Sequence, residues 1–267
     1  MSESHQSETP SQPSAAVDAE SFETAAEAAA APERAGPGRV AVIFAHPDDA
    51  EFICSGTVAR WAAEGAQVTY VLLTNGDKGS DDPTMTHERL AAIRMAEQRA
   101  ACAVLGVAEV LFLGHPDAML VNTLDLRREL VRVIRTIRPD TVICQDPTVR
   151  YVGQSYLNHP DHRAAGEVTL DAIYPAARDR MTFPELLAEG LEPHKVAEVY
   201  LAGSESPDTA IDITDYFETK LAALRAHRSQ MGEWDPDAEV RGWARETAAR
   251  FPGSGEYAES YKYFKLD

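Results

Sequence analysis

Two four-residue boxes, His46-Pro47-Asp48-Asp49 and His159-Pro160-Asp161-His162, stand about 113 residues apart and share their first three letters. Each crowds imidazole and carboxylate groups into a short stretch. His46, Asp49 and His162 together offer two nitrogens and one oxygen, the donor set of a catalytic zinc site with an open position. Asp48 and His159 are left over as acid/base groups beside it. Proline in second place stiffens each turn, which helps hold ligands before a metal arrives. A third HPD, His115-Pro116-Asp117, lacks a following Asp or His, so His115 reads as structural. The fourth residue is therefore what makes a metal box. Taken alone, His46 or Asp49 would read as a solvated or capping residue; two boxes on one edge of a domain reverse that reading.

The surrounding pattern supplies such an edge. Short apolar runs at 40–44, 67–74, 110–113 and 141–144 read as buried strands, with later strands at 196–201 and 210–213. Between and after them, helical patterns run over 55–64, 87–105 (closed by Gly106), 124–136, 161–177 as far as Pro175, and 215–227. Continuous apolar strands alternating with helices predict a parallel sheet covered on both faces, a Rossmann-like three-layer α/β sandwich in a single domain. Open parallel sheets bind ligands outside the carboxyl ends of their strands. The loops at 45–51, 75–80, 114–120 and 145–162 all follow strands, so they are expected to converge on one edge.

The chain has 267 residues, 44% hydrophobic and 25% charged, the composition of a soluble globular protein with ample material for a core. A net charge of −18 argues against nucleic acid or anionic lipid as the main partner. Cys54, Cys102 and Cys144 are odd in number and widely spaced, so they read as small buried hydrophobes in a reducing cytoplasm. No stretch approaches the ~18 consecutive apolar residues of a membrane span. Residues 1–38 are rich in Ser, Glu, Ala and Pro and read as a disordered acidic tail, with a transient helix at most over 24–31. The domain is expected over 39–267. After the first strand stands AHPDDAEFICSG, with no GxGxxG and with carboxylates where a pyrophosphate would sit. GxSxG and GxxxxGK[ST] are also missing. What remains is metal-dependent chemistry.

AHPDDAE at 45–51, LTNGDKG at 73–79, RMAE at 94–97, LGHPDAML at 113–120 and NHPDHRAAG at 158–166 together resemble the zinc-dependent PIG-L/LmbE-type deacetylases, which include N-acetylglucosaminyl deacetylases. The resemblance implies that His46, Asp49 and His162 are zinc ligands and that Asp48 is the general base for a zinc-bound water. It implies that His159 stabilises the oxyanion or protonates the departing amine, and that Asp161 orients or tunes a neighbouring histidine. Arg94 and Asp117 match positions resembling substrate-hydroxyl contacts, and Asp77 sits where some members carry an acidic sugar-binding residue. The plain alternative for Arg94 is a surface ion pair with Glu97 or Glu88, and for Glu51 a supporting or helix-terminal carboxylate. Where some members place a Tyr two residues before the late box, position 157 is Leu, with Tyr156 one step away as a substitute. Trp234, Trp243, Tyr257, Tyr261, Tyr263 and Phe264 read as core or rim packing, with a sugar-stacking wall as the rival reading.

The expected activity is hydrolysis of an N-acyl, most simply N-acetyl, amide of a small polar, sugar-derived substrate, with Zn2+ or, on the same donors, Fe2+. The alternatives are an amidase acting on a thiol S-conjugate or secondary metabolite, or an inactive metal- or carbohydrate-binding homologue. A pure binding module would need neither Asp48 nor His159. The expected partner is a small molecule, with assembly into a homo-oligomer left open.

Overall fold

The computed structural model describes residues 37–267; the acidic tail up to residue 36, with its Ala-rich stretch, lies outside the described residues. In chain order the elements are β1 (Arg39–Phe44), α1 (Asp49–Ile53), α2 (Ser55–Ala63), β2 (Gln67–Thr74), α3 (His87–Leu105), β3 (Glu109–His115), α4 (Leu124–Ile137) and β4 (Thr141–Gln145). A small hairpin, β5 (Tyr151–Val152) and β6 (Tyr156–Leu157), precedes α5 (Pro160–Asp171). Then follow α6 (Glu185–Ala188), β7 (Glu198–Ala202), β8 (Thr209–Asp212), α7 (Phe217–Leu224), α8 (Arg228–Met231), α9 (Asp237–Arg250) and β9 (Ala258–Lys265).

The main sheet runs β3-β2-β1-β4-β7-β9-β8. Its first five strands are parallel, and β9 lies antiparallel between β7 and β8. β1 and β2 are buried beyond their first residue and β4 throughout, as strands covered on both faces must be. Alternation along β1 divides the core in two. Ala41 and Ile43 pack with Leu130 and Ile134 of α4 and Val168 of α5. Val40, Val42 and Phe44 pack on the other face with Val58 of α2 and Cys102 and Leu105 of α3. This is the expected three-layer α/β sandwich. All three cysteines are free and buried. Among the described residues no helix is long and apolar enough to cross a membrane.

Helix boundaries follow local chemistry. Thr86 and Thr123 accept from the N–H groups of Arg89 and Leu126 at the starts of α3 and α4, and Gly106 closes α3 at φ 76°. Three sequence expectations need correction. Residues 49–51, taken as part of the loop 45–51, belong to α1, because Asp48 turns the chain sharply enough for a helix to begin directly inside the first box. The helix expected over 161–177 stops at Asp171 and gives way to a turn of π-helix, with Tyr174 non-helical ahead of Pro175. The helix expected over 215–227 ends at Leu224, which leaves His227 outside it.

Gly166 sets the distance between α5 and β4. A Cβ there would collide with the carbonyl oxygen of Gln145 and lie 3.1 Å from Cδ of Pro147. Gly166→Ala is therefore expected to destabilise the protein by about 1–3 kcal/mol, measured as a shift in urea midpoint. It should also displace the second box, which α5 carries.

Candidate active site

The four strand-following loops converge on one cavity of about 530 Å3. His46, Asp48 and Asp49 reach it from the turn after β1, Lys78 from the loop after β2 and Asp117 from the loop after β3. Tyr156, His159 and His162 come from the stretch after β4. The two boxes, distant in sequence, meet here. The rings of His46, His159 and His162 lie with centroids 4.8–5.3 Å apart.

Asp49 sits between two of those imidazoles. Its Oδ1 is 3.0 Å from Nε2 of His162 and its Oδ2 is 3.5 Å from Nδ1 of His46. The backbone N–H of His46 donates to the same Oδ2. Burial opposes ionisation of Asp49, but His162 and His46 outweigh it and hold the carboxyl well below the usual range. On its far side, Nε2 of His46 meets Asp117 Oδ1 at 3.0 Å and Asp161 Oδ2 at 3.3 Å. Burial would lower the His46 pKa, yet Asp49, Asp117 and Asp161 together push it up to about 12. Asp117 falls to about 2: burial raises it, and the His46 contact outweighs burial. Among the described residues, two groups bring three ligand atoms within 4.8 Å of one another: His46, His159 and His162, and His46, Asp117 and Asp161. A pocket so rich in carboxylates holds a proton on His46 by charge alone, and the same surplus suits a divalent cation.

Asp48 has a different setting. It occupies the left-handed region at φ 94°. Its carboxylate receives Arg94 Nη2 at 3.1 Å, and the same nitrogen donates to the carbonyl of Pro47 at 2.6 Å. Arg94 Nη1 donates to the carbonyl of Gly76, a residue at φ 65° where a Cβ would strike the guanidinium. Burial pushes the Asp48 carboxyl up to about 6 against the pull of Arg94. Arg94 is thus a buried partner of Asp48 and not a surface pair with Glu97 or Glu88; Glu97 instead accepts from Ser229.

The remaining expected residues divide. Asp161 is fully buried, accepts from the N–H groups of Ala118 and Leu120, and backs His46 from behind the cavity. Asp77 does not line the cavity; it accepts from the Asp117 N–H and lies 3.4 Å from Nδ1 of His87. Tyr156 and Leu157 stand in the cavity wall on β6. His115 pairs with Glu129, the structural role expected of it. Of the aromatic residues, Tyr261 is buried in β9 and Tyr257 stacks on Phe217, so neither forms a wall; Trp234 stacks on Phe52, which does line the cavity.

The family model for GlcNAc-PI de-N-acetylases, PIG-L, matches residues 41–173, a span that holds both boxes. A diacetylchitobiose deacetylase of Thermococcus kodakarensis is 36% identical over 203 residues, 74% of each chain. The chain belongs to the PIG-L family. Another PIG-L relative, a 1D-myo-inositol 2-acetamido-2-deoxy-alpha-D-glucopyranoside deacetylase of Actinosynnema mirum, is 31% identical over 243 residues, 76% of this chain and 84% of the relative. Among solved structures, the N,N'-diacetylchitobiose deacetylase of Pyrococcus horikoshii superposes with a TM-score of 0.78 at 30% identity, covering 86% of this chain and 84% of that one.

Several residues around the PIG-L boxes went unassigned in the sequence, and Glu51, read there as a supporting carboxylate, joins them. Asn158 Oδ1 meets His162 Nδ1 at 3.0 Å while its Nδ2 donates to the carbonyl of Val149. Lys78 donates through its ammonium to the Asp117 carbonyl and through its backbone to the Asp117 carboxylate. Gln98, Glu51 and His227 form a buried polar group beneath Asp48. Gln98 carried one usable signal, its place one helical turn after Arg94.

Proposed function

We propose that the protein is a metal-dependent N-deacetylase of a saccharide bearing 2-acetamido-2-deoxyglucose, with His46, Asp49 and His162 as metal ligands. The observation that carries the ligand set is which imidazole nitrogens are already engaged. Asn158 donates through Nδ2 elsewhere, so its oxygen faces His162 and takes the proton on Nδ1. That leaves Nε2 of His162, which faces Asp49 Oδ1 at 3.0 Å, as the nitrogen a cation would take in place of its proton. Asp117 and Asp161 occupy Nε2 of His46, which leaves Nδ1, again beside Asp49. Both of these nitrogens flank one carboxylate, a donor set suited to zinc and equally to ferrous iron once their protons are displaced. A cation held there supplies Lewis acidity toward water and toward an amide carbonyl.

The chain's own groups do the rest. Asp48 takes a proton from the attacking water, and Arg94 keeps its carboxylate aimed. His159 Nδ1 accepts from the Asp161 N–H, so its proton resides on Nε2, a neutral donor for the oxygen that gains negative charge. When the tetrahedral intermediate collapses, the proton held by Asp48 is the one the departing amine requires, and acetate leaves as the second product. Tyr156 supplies a second hydroxyl in the same wall. Asp117 and Lys78, on the polar side of the cavity, suit sugar hydroxyls.

The relatives named above share the 2-acetamidoglucose unit in the substrates they are named for, which is why a saccharide is favoured over a thiol conjugate. Zinc-loaded protein is expected to release acetate and a primary amine from diacetylchitobiose or from 2-acetamidoglucosyl inositol. Loaded protein that releases neither would overturn the reading. Asn158→Ala is expected to weaken metal binding by about 10–100-fold, measured by competition with a chromogenic chelator.

A further inference from the structure

Asp48 holds a backbone conformation, φ 94° and ψ −26°, that a residue with a Cβ adopts at a cost of about 1–3 kcal/mol. Such a conformation persists only where its surroundings dictate it. Arg94 grips the carboxylate and the preceding carbonyl. The peptide N–H of Asp48 is gripped separately, by Oε1 of Gln98 at 3.1 Å. Gln98 is fully buried and does not line the cavity. A free glutamine amide could present either end, and Glu51 decides which. Its Oε1 receives Gln98 Nε2 at 2.9 Å, so the amide oxygen must face Asp48. Behind it, Glu51 Oε2 lies 3.3 Å from Nε2 of His227, and both residues are fully buried.

We propose that Gln98 is a positioning residue for Asp48, its amide oriented by Glu51 and His227 so that the Asp48 peptide, and hence the direction of its carboxylate, is fixed. This rests on Asp48 being the base. Without the Gln98 acceptor the Asp48 N–H is left unpaired and the peptide is free to rotate toward ordinary φ values. The carboxylate then drifts from the attacking water, while the cavity wall and the two boxes keep their contacts. A misplacement of about 1 Å at a catalytic group costs on the order of 100-fold.

Gln98→Met keeps the volume and loses the strong acceptor. It is expected to lower kcat by about 10–100-fold with KM and bound metal per folded chain unchanged. Glu51→Leu should do the same, whereas Glu51→Gln, which still offers an oxygen to the Gln98 amide, should stay within a few-fold of wild type. The deciding measurement is a double-mutant cycle. Once Asp48 is Asn, Gln98→Met should have no further effect on the residual rate, since it acts only through Asp48. Wild-type kcat in Gln98→Met, or a loss that repeats undiminished on the Asp48→Asn background, overturns the proposal. A fully active Asp48→Asn enzyme would instead overturn Asp48 as the base, so the two failures are told apart.

Discussion

Asp48→Asn is expected to lose about 100- to 10,000-fold in kcat with little change in KM and none in metal content. Asparagine is the informative substitution because it tolerates the left-handed backbone that position 48 requires. Its amide oxygen also still accepts from Arg94. The fold, the Arg94 contacts with Pro47 and Gly76, and the neighbouring Asp49, the proposed ligand, are therefore retained, and what is lost is the ability to take a proton. Asp48→Ala would mix that loss with backbone relaxation. Steady-state kinetics with metal analysis on the same samples checks the outcome. Near wild-type turnover in a metal-loaded Asp48→Asn enzyme would remove Asp48 from the mechanism.

The largest expected effect on stability lies away from the cavity. α2 begins without a side-chain cap of its own, and Glu259 of β9 fills that role. Its Oε1 accepts from the N–H of Gly56 at 3.0 Å and from Lys220 Nζ at 2.6 Å. Its Oε2 accepts from the N–H of Thr57 at 2.7 Å and from the Tyr261 hydroxyl at 3.1 Å. Glu259 and Lys220 are both buried. Glu259→Ala strips two helix N–H groups of their acceptor and leaves a buried ammonium without a counter-charge. The expected loss is about 3–5 kcal/mol, read from urea unfolding. The double variant Glu259→Leu/Lys220→Met should recover part of it, because the unpaired charge is gone while the helix start remains uncapped. A single variant within 1 kcal/mol of wild type would show that the network contributes no more than a surface pair does.

The parts of the fold that were legible in the sequence are those written locally. β1, β2 and β4 are continuous apolar runs because helices cover both faces of the sheet, and a run of that kind needs no partner to be recognised. β9 reads AESYKYFK, with a glutamate at a buried position and tyrosines that could equally line a rim. Its strand character depends on pairing with β7 and β8, and the buried glutamate makes sense only beside α2. The same distinction holds at the site. Each box is a local cluster of imidazole and carboxylate groups, and the loops that carry the boxes follow strands, so their meeting could be expected from topology. The Arg94 contact with Asp48 spans 46 residues and that of Gln98 spans 50. Both depend on how α3 lies across the first box, which no local pattern records. Asp77, in a loop of suggestive sequence, ends beneath Asp117 because its carboxylate is spent on the Asp117 N–H.

The place of β9 between β7 and β8 has a consequence for how the molecule is made. β8 pairs only with β9, and the far side of β7 does as well. Glu259 joins α2 across 203 residues of chain. Contacts of that separation give a high contact order, for which folding is slow and completed late. During synthesis, β7 presents an open row of backbone donors and acceptors until the final strand emerges. Such a transient edge is where pairing between chains begins when it competes with pairing within one.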